Sequence, residues 1–286
     1  SSRHGEIYPS MGGDAQRSAS GTASDYAFAI RSHQDMVAVN VLSGVFTGDL
    51  GESFRTSQPV LEAIGARLPR TLMLVVFATV LSIVIGVAMG AIAARRGGWV
   101  DTLVTALSSI GVALPVFVFG AVLILLFSIT LKWFPAGGYV DPSKDLLGSL
   151  ASLTLPAIAL AVGFAAQIAR MTRSAVLEVQ TQDWVRTAKS IGLAPFTVFR
   201  RHVLRNSLTP VVTVVGIGFG TLLGSTVLVE RVFNYPGLSS LLIDGVTTRD
   251  YPVVQGVVIV IALLFIAINI VVDIIYGILD PRVRRA

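Results

Sequence analysis

The chain of 286 residues contains no cysteine, which excludes disulfides and thiol-ligated metal sites and leaves the redox compartment unread. Charge is also scarce. Only 14% of residues are Asp, Glu, Lys or Arg, against roughly a quarter in an ordinary soluble domain. No G-x-x-x-x-G-K-[ST] phosphate loop occurs, so ATP hydrolysis by this chain is not expected. Histidine is limited to His4, His33 and His202, and no nucleophile–base constellation accompanies them. The first two fall in a segment with little apolar periodicity, where a solvated side chain is expected. His202 sits in a basic loop and reads as a helix-end or interface residue. Ser1–Thr22 has no basic stretch followed by an apolar one, so it is not a signal peptide. The sequence therefore points to no catalytic residue, cofactor or metal in this chain.

What is present is apolar. Hydrophobic residues make up 53% of the chain and lie in long runs rather than at helical or strand spacing. A bilayer core of about 30 Å needs about 20 mostly apolar helical residues. Five stretches qualify, roughly 71–94, 103–131, 151–169, 208–229 and 252–279. The expectation is an all-α, polytopic membrane protein in which each helix satisfies its own backbone groups. Orientation follows from the connecting segments. Residues 95–101, 170–205 and 280–286 carry net charges of +1, +5 and +2, whereas 1–70, 131–150 and 230–251 carry −1, 0 and −1. By the positive-inside rule the first three are cytoplasmic, including the tail Arg282, Arg284 and Arg285. The pI of 9.9 therefore reflects topology and not nucleic-acid binding. Residues 1–70 are then an extracytoplasmic segment and 71–286 the transmembrane domain. A polar segment outside, without a signal, leads us to expect a preceding first helix and six spans in the intact subunit. Residues 1–40, rich in Ser, Gly and Ala, read as a loosely ordered external segment.

The most informative loop is 170–205. Asp183 is placed to N-cap a short helix, and Arg186 and Lys189 lie toward its C-terminal end, where cations suit the dipole. Gly192 fits the left-handed C′ position and Pro195 stops continuation. About two turns result, with Ala188 and Gly192 small enough for close approach by a partner. Taken alone, this is equally an ordinary surface helix in a basic inner loop.

The stretch "RMTRSAVLEVQTQDWVRTAKSIGLAPFTVFRRHVLRNSLTPVVT" resembles the cytoplasmic signature of binding-protein-dependent ABC permeases, within that family the dipeptide/oligopeptide/nickel group. Ala188 and Gly192 keep the second Ala and the Gly of the general Glu-Ala-Ala…Gly motif. Arg186 and Thr187 stand in for its Glu and first Ala, and Leu204-Arg205 for its Leu-Pro. "GDLGES" (Gly48–Ser53), "RLPRTL" (Arg67–Leu72), "ALPVFVFG" (Ala113–Gly120), "VFNYPGLSSLLIDGVTTRDYPVVQG" (Val232–Gly256) and "DPRVR" resemble the subunit of that group with a large external segment after its first helix. The match runs from about Val45 to Arg284.

The resemblance implies a bacterial inner-membrane protein with a cytoplasmic C-terminus. It further implies a second, homologous permease completing the pathway, two cytosolic ATPases that hold ATP and Mg, and an extracytoplasmic binding protein that delivers peptide. The loop helix would be the coupling helix, carried by Asp183, Trp184, Arg186, Ala188, Lys189 and Gly192, with Ala188 and Gly192 at closest approach to the ATPase. Trp184 reads either as an apolar anchor in a partner pocket or as an interfacial Trp. Residues 231–251, with Phe233, Tyr235, Pro236 and Tyr251, and Gly48–Ser57 are the expected docking face for the binding protein.

Three features bear on the conduit. Gly216, Gly220 and Gly224, with Ser225, form a small-residue seam suited to pathway lining or to packing. Ser82, Gly86, Gly90 and Ala94 form another, suited to packing. Pro115 must kink the span 103–131. Asn269 and Asp273 lie one turn apart near the end of the last span, and the Asp273 carboxylate reads either as functional or as a structural group that reaches the interface or meets a basic residue of the inner loop such as Arg173 or Arg205. Other readings are a nickel or small-solute importer permease, a proton-coupled secondary transporter using Asp273, and a membrane scaffold.

Overall fold

A computed structural model of the chain describes residues 50–279, apart from the side chains of Asp273 and of residues 275–279. The expected external segment 1–40, with His4 and His33, and the tail arginines lie outside the described residues. The helices are α1 (Val60–Arg96), α2 (Gly98–Ala113), α3 (116–130), α4 (Leu146–Gln180), α5 (Asp183–Ser190), α6 (195–207), α7 (Thr209–Val232), α8 (Leu238–Thr248) and α9 (Tyr251–Leu279). Among the described residues there is no strand, only an isolated bridge between Glu52 and Pro59. The compact unit begins at Glu52.

Among the described residues four helices are long and apolar enough to cross a membrane, or five where the bent pair α2–α3 counts as one span. Each falls on one of the five apolar runs. Their ends reach further than the runs do, because a helix continues into polar residues until something stops it. Thus α1 starts at Val60, so residues 60–70 are helical and continuous with the apolar run that follows them. Asp145 caps α4, its carboxylate accepting from the Gly148 N–H at 3.0 Å, which satisfies one of the free amides of the first turn.

The expected kink at Pro115 is a full break. Leu114 is extended (φ −74°, ψ 124°) and Pro115 likewise (φ −59°, ψ 132°), so α2 and α3 meet at 104°. Proline disfavours the helical conformation at the residue before it and supplies no N–H, and here both effects act together. From Ile124 to Thr130, α3 is π-helical.

Inside a bilayer, helices associate by close packing and not by escape from water. The tightest pair is α1 with α4. A Cβ on Gly86 would meet the Ala165 carbonyl and Ile168, and one on Gly90 would meet the Ala169 carbonyl and Thr172. Ser82 Oγ reaches the Ala161 carbonyl at 3.2 Å. This is the packing seam expected from Ser82, Gly86, Gly90 and Ala94. The core around it is built from Leu74, Val75 and Ala78 of α1, Leu153, Phe164 and Ile168 of α4, and Leu222, Leu223 and Val229 of α7.

Candidate functional site

Helix α5 is two turns long, as expected, but its start is shifted. Gln182 occupies the N-cap and makes no side-chain capping bond. Asp183 is therefore the first helical residue and not the cap. Its carboxylate still suits the positive end of the dipole and lies 3.6 Å from Arg186, an exposed pair worth little in itself. The other end is as read. Gly192 is left-handed (φ +83°), its N–H donates to Lys189 O at 3.1 Å, and the Leu193 N–H donates to Ala188 O at 3.4 Å. These two bonds are the Schellman pattern that ends a helix on a C′ glycine.

The helix has two faces. Val185 and Ala188, three residues apart, are buried against Ala94 of α1, Val176 of α4, and Val198 and Val203 of α6. Ala188, expected at closest approach to the ATPase, packs against its own chain at this junction. The free face carries Trp184, 42% exposed, and Ile191, 71% exposed, with Thr187 between them at helical spacing. Arg186 and Lys189 are exposed as well. Beside the junction, the Arg95 guanidinium lies 5.4 Å from the Phe196 ring centre and 5.5 Å from that of Phe199.

Arg173, expected opposite Asp273, pairs instead with Asp101 in a two-pronged ion pair between α4 and α2, one prong being Nη2 to Oδ2 at 2.5 Å. Asp101 lies in the first turn of α2. Asp273's side chain lies outside the described residues. Asn269 is half-buried on α9, Arg205 is exposed, and the half-buried His202 lends its carbonyl to Asn206 Nδ2 at 2.6 Å.

At the opposite end of the bundle, the loop 233–237 overturns the docking expectation for two residues. Phe233 and Tyr235 are each only 1% exposed; they anchor the loop from within. Their rings turn inward because the loop is organised around a carboxylate that the sequence reading did not single out. Glu230, in the last turn of α7, is fully buried. It accepts from Thr71 Oγ1 at 2.7 Å and from the Ser240 N–H at 2.8 Å. Thr71 Oγ1 in turn accepts from the Leu238 N–H at 2.8 Å. Gly237 sits where any Cβ would strike the Glu230 carboxylate. Tyr235 donates its hydroxyl to the Arg70 carbonyl at 3.1 Å, and burial pushes its phenol well above the usual range. Arg70 lies 4.7 Å over the Tyr139 ring, which meets Tyr235 edge-on. The one available signal was a Glu at the end of a run of small and apolar residues, followed after Arg231 and Val232 by Phe, Asn, Tyr, Pro and Gly.

Of the docking candidates, Pro236 is half-buried and Tyr251 is 48% exposed. Beside Tyr251, the buried Asp250 accepts from Ser53 Oγ at 2.5 Å and from the Phe54 N–H at 3.2 Å. That places Phe54, 66% exposed, next to Tyr251. Gly48 lies outside the described residues.

The glycine seam on α7 divides. A Cβ on Gly216 would overlap Val272 and one on Gly220 would overlap Phe265, both on α9, whereas one on Gly224 would meet nothing. Gly216 and Gly220 therefore serve packing. Ser225 lines a cavity of about 120 Å³ beneath the Pro115 break, shared by α2, α3, α4 and α7. Among the described residues no cluster of three or more His, Asp or Glu is gathered as a metal would need.

Comparison with known proteins accords with this arrangement. Residues 82–285 match the family described as binding-protein-dependent transport system inner membrane component. A peptide transport system permease protein of Brucella abortus (strain 2308) is 47% identical over 244 residues, 85% of this chain and 78% of that protein. The dipeptide transport system permease protein DppB of Haemophilus influenzae is 41% identical over 265 residues, 85% of this chain and 79% of its own length. Among solved structures, the inward-facing MetNI methionine ABC transporter gives a TM-score of 0.64 at 20% identity, covering 79% of this chain and 100% of the other. An amino acid ABC transporter solved with histidines gives 0.54 at 16%, covering 77% and 94%. These two show a shared fold. By its family match, by relatives that align over most of both chains and by its apolar helices, the chain belongs to the inner-membrane components of binding-protein-dependent transport systems, a family of multi-pass proteins.

Proposed function

We propose that this chain is one permease subunit of an ATP-driven ABC importer and forms half of the pathway for di- and oligopeptides. The observation that carries the reading is α5. It is a short helix with a fixed C-terminal cap, wedged by Val185 and Ala188 where α1, α4 and α6 converge, and offering Trp184 and Ile191 outward. A push on its free face reaches three helices at once, which suits transmission of force from a cytosolic ATPase. The peptide substrate is supported by the names of the relatives. Two ATPases, carrying ATP and Mg, dock at the α5 end, and the basic loops support a cytoplasmic location for that end and for the C-terminus. A second permease completes the conduit as a heterodimer. The binding protein docks at the opposite end, with Phe54 and Tyr251, rather than Phe233 and Tyr235, as its apolar contacts.

The test is reconstitution of this chain with a second permease, two ATPases and a binding protein in proteoliposomes. Expected is peptide uptake that requires ATP inside and the binding protein outside, with no ATP turnover by this chain alone. Uptake driven by a proton gradient without the ATPases, or uptake of nickel in place of peptide, would overturn the reading.

A further inference from the structure

The cavity beneath the Pro115 break carries an inference that rests on the importer reading and names the contact the substrate makes. Three of its lining residues have polar side chains, Gln167 of α4 and Thr221 and Ser225 of α7, and three are the glycines Gly111, Gly163 and Gly218. None of the residues that line it is ionisable. Gln167 belongs to an otherwise apolar stretch of α4, yet it is exposed and, among the described residues, neither its side chain nor the Thr221 hydroxyl has a hydrogen-bond partner. A primary amide facing hydrocarbon without a partner is costly, so this face of α4 meets water or a polar ligand. Ser225 Oγ donates to the Thr221 carbonyl at 3.0 Å, leaving its lone pairs to accept. Gln167 brings two donors and an acceptor, and Thr221 a hydroxyl that serves as either. The donor and acceptor pattern is that of a peptide group.

We infer that Gln167, Thr221 and Ser225 form a passage subsite that hydrogen-bonds the neutral main-chain amides of a peptide in transit. The size fits this use. About 120 Å³ is room for a few water-sized groups, each filling about 30 Å³ of liquid, so one or two amide units are held at a time. With no charge in the lining, the subsite reads the backbone common to all peptides and ignores side-chain charge. The glycines keep the walls smooth, and the break at Leu114–Pro115 opens the space by swinging α3 away from the axis of α2.

The experiment uses the complete importer in proteoliposomes, and the chain's lack of cysteine lets single cysteines report in it. Thr221→Cys should react with a membrane-impermeant maleimide, and alanyl-alanine delivered by its binding protein should slow that reaction. Val84→Cys, on an exposed apolar face of α1, should not react. Gln167→Leu combined with Thr221→Val should lower dipeptide uptake about tenfold, the effect expected for losing a hydrogen bond or two, and Gln167→Asn should recover part of it. Should the Leu/Val complex not assemble, the cysteine labelling decides. An unreactive Cys at position 221, labelling that peptide leaves unchanged, or wild-type uptake by an assembled Leu/Val complex would each overturn the subsite. A wild-type complex that takes up no peptide at all would instead defeat the importer reading, and that is seen before any variant is made.

Discussion

Glu230 shows how much depends on one side chain. Its carboxylate collects a hydroxyl from α1 and an amide from the start of α8, so its removal strands both. Glu230→Ala should destabilise the chain by about 1–3 kcal/mol, the penalty for leaving buried donors unmade. Glu230→Gln should be milder, since an amide oxygen can still accept from Ser240 while Thr71 rotates its hydroxyl to meet the NH2. Thermal unfolding of the detergent-solubilised chain measures both, and an Ala variant melting with the wild type would refute the assignment. Gly237 was legible as a turn residue, but not as the residue that must vacate space for Glu230. Phe233 and Tyr235 were read as exposed because Asn, Pro and Gly around them announce a loop. Turn chemistry tells where a chain bends. Which way the bend folds back depends on a partner 159 residues away in sequence.

Helix α5 is the element whose limits the sequence disclosed best. Its length and its C′ glycine were readable, since capping is local chemistry, whereas its N-cap was misread by one residue, Gln182 standing where Asp183 was expected. Its orientation was not readable, because Ala188 looks alike whether it meets a partner or its own core. The two faces make separable predictions. Trp184→Ala should lower peptide uptake and the stimulation of ATP hydrolysis by loaded binding protein, with thermal stability unchanged. Ala188→Arg should lower stability itself, because a long charged side chain cannot enter the junction of Ala94, Val176 and Val203. Gly192→Val should weaken coupling by straining a left-handed residue, on the order of 1 kcal/mol or more. A Trp184→Ala importer with full activity would remove α5 from the coupling role. The same limit applies to the span 103–131. Proline signalled a disturbance there, but a bend of 104° follows only once Leu114 and Pro115 are both extended.

At the scale of the molecule, the count of spans was legible because apolar runs of sufficient length have few alternatives in a bilayer. Long-range polar pairs were not. The ion pair of Asp101 with Arg173 joins α2 to α4, and α4 also carries Val176 at the α5 junction. Movement of α5 thus has a stiff route to the half-span below the break. Asp101→Asn should reduce uptake, and exchanging the two charges (Asp101→Arg with Arg173→Asp) should restore part of it, as expected of directly coupled residues. If the exchanged pair is no better than either single variant, the tie between α2 and α4 does not transmit.

The knot around Glu230 also sets an order in time. Its partners lie at Thr71, near the start of the described bundle, and at Ser240, beyond the end of α7. During synthesis Thr71 enters the membrane long before Glu230 exists, and contacts so distant in sequence form late. Until then the Glu230 carboxylate and the Thr71 hydroxyl lack one another as partners. Closing the knot marks the moment when the first and later helices have found one another, so a newly made chain carries at its rim a chemical sign of whether its assembly is finished.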